Sequence, residues 1–294
     1  MENRMVTYSG IGSRVTSRTS VTEEGTAWSG VSHIGKMACP KCGSLMAAAA
    51  TLKRCVIFAV FIVLTLAGSA KTKERLVFDL KLGFVKGGEA VLTIRDTTYN
   101  GRKAVDYHLK GRTTGVTDKI FKVDDIYEST VDAATYLPYR SVRNIKERKY
   151  RYYNEVFHYQ DRDSIFSERT GGKKVPDNLT DILTVFFYVA HNNMIDFINQ
   201  GKTVVLPTLN GHDIQNIKIK FNGYETIDTP MGPVETMVLS PVVDKGKVLK
   251  RSDGMKFYIS REGKIPVQLD FETKAGTLRA VLVSYRLNGK EQMK

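Results

Sequence analysis

Between Tyr136 and Tyr159 the chain sets Arg140, Arg143, Arg148 and Arg151, with Lys146 and Lys149, among Tyr136, Tyr139, Tyr150, Tyr152, Tyr153 and Tyr159. A guanidinium grips a carboxylate or phosphate through two parallel hydrogen bonds. A tyrosine ring stacks on a sugar or lines an amphipathic ligand, with a polar tip left over. Two adjacent strands carrying these residues would form a basic, tyrosine-rich sheet face suited to an anionic glycan or lipid. Arg140, Arg143, Arg148, Arg151, Tyr150, Tyr152 and Tyr153 are the candidate ligand surface. The same residues also have a purely structural use. Positive charge guards a sheet edge against unwanted pairing, and tyrosine favours strands.

Other chemistries leave no pattern. Beyond residue 70 the histidines are His108, His158, His191 and His212, with none of the spacings that hold zinc. All three cysteines lie at or before residue 55, and no serine-hydrolase elbow, dinucleotide fingerprint or phosphate loop is present. Neither a metal nor a cofactor is expected. His108 reads as a solvent-facing strand residue, and His191 as a helix-end residue interacting with the helix dipole. Carboxylates for glycoside hydrolysis must face one another at a set separation. Asp124, Asp125, Glu128, Asp161, Asp163, Asp270 and Glu272 qualify by type alone, so no catalytic residue is selected.

The elements that must position these residues begin after a leader. Residues 1–45 are rich in Ser, Thr and Gly, without sustained apolar periodicity, and read as disordered. Lys53-Arg54, the apolar run from Cys55 to Leu66 and the small residues ending at Ala70 form a secretory signal. Cleavage is expected after Ala70. The alternative is an uncleaved inner-membrane anchor, although the sixteen uncharged residues from Cys55 to Ala70 fall short of the roughly 20 that a spanning helix needs. Met46 suits the start of such a signal, so residues 46–70 form the signal peptide and residues 1–45 need not be translated. Cys39 and Cys42 form an isolated C-x-x-C with no second pair and no thioredoxin-like context. The exported part would be residues 71–294, one β-rich domain in the periplasm with no cysteine to crosslink it.

Period-2 alternation dominates that part. Leu76, Phe78, Leu80, Leu82 and Phe84 take every second position, and Val85-Lys-Gly-Gly88 reads as the turn that follows. Asn100-Gly101 reads as a hairpin. Further strands are expected at 120–129, 138–147, 149–159, 163–169, 202–206, 214–222, 233–241, 255–260, 266–274 and 277–287, with turns at Asn222-Gly223, Gly232-Pro233, Glu262-Gly263 and Ala275-Gly276. Short connections mean antiparallel neighbours. Leu179, Ile182, Leu183, Phe186, Phe187 and Ala190 recur at helical spacing instead, with Asp177 or Asn178 placed to cap the first amides. About a dozen strands are too many for a flat sheet. The expected fold is mainly β: a large, strongly curved antiparallel sheet or open barrel with one central apolar helix. Phe186 and Phe187 would line its cavity.

Three segments carry a resemblance to a known family. They are Leu76-Val-Phe-Asp-Leu-Lys-Leu-Gly-Phe84 with Gly88-Glu-Ala90, then Phe121 to Ser129 with Leu137-Pro-Tyr139 and Asp177 to Leu183, and last Met255 to Pro266 with Gly276. In this order they resemble the exported bacterial family known as domain of unknown function 3108, over roughly residues 73–287. The family has no established activity, so no residue role is carried over. The resemblance implies a periplasmic protein of the Gram-negative envelope. With a net charge of +13 and pI near 9.5, the expected partners are anionic glycans or lipids rather than nucleic acid, which this compartment does not offer. The membrane is expected to enter only through the uncleaved signal. The expected function is non-enzymatic binding of an amphipathic lipid or glycan of the envelope. The alternatives are a glycan-acting enzyme using a carboxylate pair, or a structural module pairing a sheet edge with a partner.

Overall fold

Alternating apolar residues set one strand after another, because each strand must bury the same face as its neighbour. The computed structural model describes residues 73–199, 204–242, 254–274 and 276–292, all within the unit Ala70–Lys294. The signal segment, Ala70 and the Cys39/Cys42 pair lie outside the described residues. The elements are β1 (Lys73–Leu82), β2 (Val85–Tyr99), β3 (Arg102–Thr113), α1 (Gly115–Ile120), β4 (Asp124–Asp132), β5 (Pro138–Glu147), β6 (Tyr150–Tyr159), β7 (Ser164–Ser167), β8 (Gly171–Lys174), β9 (Thr180–Asp181), α2 (Val185–His191), α3 (Met194–Asn199), β10 (Val204–Asn210), β11 (Asp213–Thr229), β12 (Gly232–Val242), β13 (Met255–Ser260), β14 (Pro266–Thr273), β15 (Gly276–Leu287) and β16 (Lys290–Glu291).

All the strands join one sheet. Its order is β8-β7-β6-β5-β4-β3-β2-β1-β15-β14-β13-β12-β11-β10-β9, with β16 beside β15. Two meanders therefore meet where β1 pairs antiparallel with β15. The short β9 lies parallel to β10; the other pairings are antiparallel. The protein is mainly β, built on a large open antiparallel sheet.

The inward faces form two main clusters. Leu76, Phe78, Leu92, Ile94, Val105, Tyr107 and Val131 gather around Phe187. Val204, Leu206, Ile217, Ile219, Met237, Leu239 and Ile259 gather around Val185, Phe186 and Val189. The seven-residue α2 buries six consecutive side chains, Val185 to Ala190, and so contributes to both clusters. Leu206 of β10 faces the second. Leu209, of opposite parity, packs in a third with Val156 of β6, Ile165 of β7 and Leu179. Successive strand residues point to opposite faces. The β6–β7 end of the sheet thus overlaps the back of β10, and the structure closes on itself by packing.

The bounds of β5 and β13 match the expected strands. Several other local expectations are corrected. The β1–β2 turn falls at Gly83-Phe84, with Gly83 at φ 59°, while Gly87 and Gly88 lie inside β2. A Cβ on Gly88 would stand 2.6 Å from the Arg112 carbonyl oxygen of β3. Glycine is there for close backbone approach, not for a turn. Asn222-Gly223 likewise makes no turn. It is a register shift within β11 between Phe221 and Tyr224, and such a bulge accommodates an extra residue. The expected strand from 120 starts only at Asp124, because Gly115–Ile120 forms α1. The α2 helix starts at Val185, later than its apolar spacing suggests, and neither Asp177 nor Asn178 caps it: no side chain caps its first amides, and Asp181 instead holds the turn before it through the Leu183 and Thr184 amides.

Candidate functional site

β5 and β6 pair in register from Arg140↔Phe157 to Glu147↔Tyr150, and alternation divides the basic tyrosine-rich segment between two faces. Arg143 and Tyr152 share the inward face with the buried Asn154, Val156 and His158. Arg140, Arg151 and Tyr153 face outward. Arg148 sits in the connecting turn at φ 47°, and Tyr150 opens β6 next to it. The candidate residues therefore do not make one surface. Arg140 is bound by Glu155 and by Glu128, the latter at 3.1 Å. Arg151 donates to the carbonyls of Arg148 and Tyr150 at 2.7 and 2.8 Å. Arg148 lies over the Phe121 ring at 5.6 Å.

The inward pair lies at the overlap. Arg143 donates through Nη1 to Asn210 Oδ1 at 2.9 Å, and its guanidinium stands 5.6 Å from the Tyr127 ring and 5.5 Å from the Tyr152 ring. A Cβ on Gly211 would lie 3.2 Å from Arg143 Nη1 and 3.3 Å from Tyr152 Oη. The φ of 72° at Gly211 favours glycine, and a side chain there would crowd both groups. Arg143 Nε and Tyr152 Oη are buried and meet no protein hydrogen-bond partner among the described residues. The cavity beside Arg143, about 30 Å³, has room for roughly one or two waters and not for a ligand.

His158 and Asp181 are buried polar groups, and His191 is partly buried. His158 Nε2 lies 3.0 Å from Ser141 Oγ, and burial pushes its pKa down to about 3, so it is neutral at pH 7. His191 stacks on Tyr136 at 3.9 Å. Burial, aided by Lys264, pushes its pKa down to about 4. His191 closes α2 as expected and stacks there on Tyr136, while the lowered pKa disfavours the charged form that the helix dipole would hold. The remaining group is Asp181, which sequence alone did not single out. Its Oδ2 accepts from Ser129 Oγ at 2.5 Å and Thr184 Oγ1 at 2.8 Å, and its Oδ1 accepts from the amides of Leu183 and Thr184.

Several of the carboxylates named by type are engaged. Asp270 receives Arg279 at 2.7 and 2.8 Å, Asp124 pairs with Lys110 at 3.1 Å, and Glu128 is shared by Arg140 and, at 3.8 Å, His108. Phe186 stacks on Phe257 at 3.6 Å and Phe187 lies 4.6 Å from Tyr107. Both rings sit among core side chains.

An open groove of about 480 Å³ lies at the other end of β6. Tyr159 closes the strand, a single 3-10 turn (Gln160–Arg162) follows, and Asp163 at φ 44° reverses the chain into β7. Gln160 Nε2 fixes the turn by donating to the carbonyls of Pro138 and Leu179 at 3.1 and 3.0 Å. The Arg162 guanidinium stands 4.5 Å from the Tyr159 ring. Phe166 pairs with Phe157 on one side and Gly172 on the other, and is 47% exposed because glycine offers nothing to cover it. Lys174 Nζ donates to the Arg162 carbonyl at 2.8 Å. Two exposed rings beside two cations can stack on a ring-shaped ligand and neutralise its charge. Arg162, Phe166 and Lys174 were missed in the sequence. The Gly171-Gly172-Lys173-Lys174 run was the available signal, since glycine opposite an aromatic on a sheet edge leaves the ring open.

The fold and these surfaces define a mainly β protein on one large open antiparallel sheet. A family model described as "Protein of unknown function (DUF3108)" matches residues 77–283. The chain belongs to that family. No curated protein matches it. Among solved structures it is similar to a beta-barrel-like protein of domain of unknown function DUF1849 from Brucella abortus, at 10% identity and TM-score 0.48, covering 74% of this chain and 99% of that one. It is also similar to a DUF1329 family protein from Desulfovibrio piger ATCC 29098, at 9% identity and TM-score 0.21, covering 76% and 80%.

Proposed function

We propose that this is a non-enzymatic binding protein of the bacterial periplasm, exported by its signal segment, whose ligand is an anionic glycan or the headgroup of an envelope lipid. In this reading α2 is the central helix of a strongly curved sheet, and Phe186 and Phe187 belong to its core. The ligand is taken on the outer face. The observation that carries the proposal is the β6–β8 groove, where exposed Tyr159 and Phe166 lie beside Arg162 and Lys174.

Hydrogen bonds to charged groups are each worth about 1.5–3 kcal/mol. Arg162→Ala and Lys174→Ala should therefore each weaken binding roughly tenfold or more, and Phe166→Ala should remove the stacking contribution. Calorimetric titration with an anionic oligosaccharide and, separately, with a soluble short-chain anionic lipid tests this and tells the two sources apart. Wild-type binding to one of them, weakened by all three substitutions with an unchanged circular dichroism spectrum, supports the site. No binding to either, or binding that the substitutions leave intact, refutes it.

A further inference from the structure

The end of the sheet opposite the groove carries an apolar cluster left exposed among the described residues. Phe84, at the tip of the β1–β2 turn, is 104% exposed. Its neighbour Val85 is exposed, as is Leu82, which pairs with both Val85 of β2 and Leu278 of β15. α1 packs beside this turn: the Thr114 amide donates to the Gly87 carbonyl at 3.0 Å, and a Cβ on Gly87 would lie 3.2 Å from Thr117 Oγ1. No residue of α1 is buried. Val116 and Ile120, four residues apart and so on one helix face, are 72% and 71% exposed. Phe121 follows, also exposed.

Cations surround this cluster. Lys119, Lys122, Arg148, Lys149 and Lys274 are all exposed. The Arg148 amide donates to the Lys122 carbonyl at 2.8 Å, which brings the β5–β6 turn against the end of α1. Among the described residues no carboxylate lies within ion-pairing distance of Lys119, Lys122, Lys149 or Lys274.

We infer that this end docks on an anionic lipid bilayer, with the Phe84 turn and the Val116/Ile120 face of α1 entering the headgroup–acyl boundary. The apolar group protrudes from a turn and a surface helix, so it matches a deformable partner better than a shaped pocket. The unpaired cations form its rim, where anionic headgroups would meet them. Apolar burial plus attraction to anionic lipid is the physical basis of interfacial binding, and each basic residue near such a surface adds a comparable increment. This surface is distinct from the groove, so each can fail without the other.

The test uses the full chain with its single natural tryptophan replaced (Trp28→Phe) and a reporter placed at the tip (Phe84→Trp). A fully exposed turn position tolerates the larger ring. The protein is mixed with vesicles of brominated phosphatidylcholine, with or without roughly one-third phosphatidylglycerol. The introduced indole should shift to the blue and be quenched on the anionic vesicles, and much less on the neutral ones. Both effects should be lost near 1 M salt, where charge is screened within about 3 Å. Lys119→Gln, Lys122→Gln and Lys149→Gln together should weaken vesicle binding on the order of a hundredfold. Attachment through the signal segment alone would leave this indole in water. An unquenched indole on anionic vesicles, or equal quenching on neutral ones, overturns the inference. So does a doubled mass in solution that Val116→Ser with Ile120→Ser returns to a monomer, because the cluster would then be a contact between copies.

Discussion

A buried carboxylate with no cation beside it is costly unless its oxygens are filled with donors. Asp181 meets this condition with four: the Ser129 and Thr184 hydroxyls and the Leu183 and Thr184 amides. It ties β9 to β4 and holds Thr184, the residue before α2, so one side chain joins an edge of the sheet to the turn that leads into the interior helix. Asp181→Ala would strand all four donors, and we expect a loss of about 3–5 kcal/mol in urea unfolding. Asp181→Asn should cost less, because the hydroxyls can turn and accept from its amide. The pH dependence separates the two effects. Burial raises the Asp181 pKa above its ordinary 3.8, outweighing the hydrogen bonds that lower it. The native state then holds this proton more tightly than the unfolded chain. The contribution is fully present below pH 3.8 and is lost as pH rises through the folded value. Asp181→Asn should flatten that part of the stability–pH curve, and an unchanged curve would mean that Asp181 is not the group responsible. Sequence could not choose Asp181 over Asp177 or Asn178. All three have capping side chains, and the deciding partner, Ser129, lies 52 residues away.

Strands were the legible elements, because alternation is local and survives in any antiparallel neighbourhood. β5 and β13 were readable to the residue for that reason. Glycine was less legible, since one residue type serves turns, bulges and close backbone approach alike. Asn100-Gly101 is a true hairpin turn, with φ values of 48° and 79°. Gly87-Gly88 and Asn222-Gly223 look the same in sequence, yet lie within strands. The difference rests on the neighbouring strand, as at Gly88, where the Arg112 carbonyl occupies the space a Cβ would need. Gly88→Ala must push β3 away from β2 and should cost about 1–3 kcal/mol. Gly172→Ala, whose Cβ would meet nothing closer than 3.8 Å, should cost much less. Urea midpoints of the two variants compare them directly, and equal midpoints would refute the steric account. The groove was illegible for a related reason. Phe166 is open because of the Gly172 across from it, and a pairing of that kind is set by register rather than by the order of residues.

At the scale of the whole molecule the sheet does not close by a hydrogen-bonded ladder: its path runs from β8 to β9. Closure is by overlap. Ser129 to Asp181, Arg143 to Asn210 at 2.9 Å and Asn154 to the Gly211 carbonyl at 3.3 Å cross the seam, with the Val156, Ile165, Leu179 and Leu209 cluster behind them. Each such hydrogen bond contributes on the order of 1 kcal/mol. β2 and β3, by contrast, pair continuously from Gly88↔Thr113 to Tyr99↔Arg102. The seam should therefore open at lower free energy than the centre of the sheet. Native-state hydrogen exchange should show β9 and the adjoining β10 amides exchanging through a partial opening, while β1, β2 and β15 exchange only through global unfolding. Asn154→Ala should lower protection at the seam and leave that central set nearly unchanged. If β9 and β10 instead exchange with the same free energy as β1, the overlap is part of one cooperative core and the seam is no weak point. Partial opening would uncover Arg143 and Tyr152, the two members of the basic segment that the closed molecule turns inward.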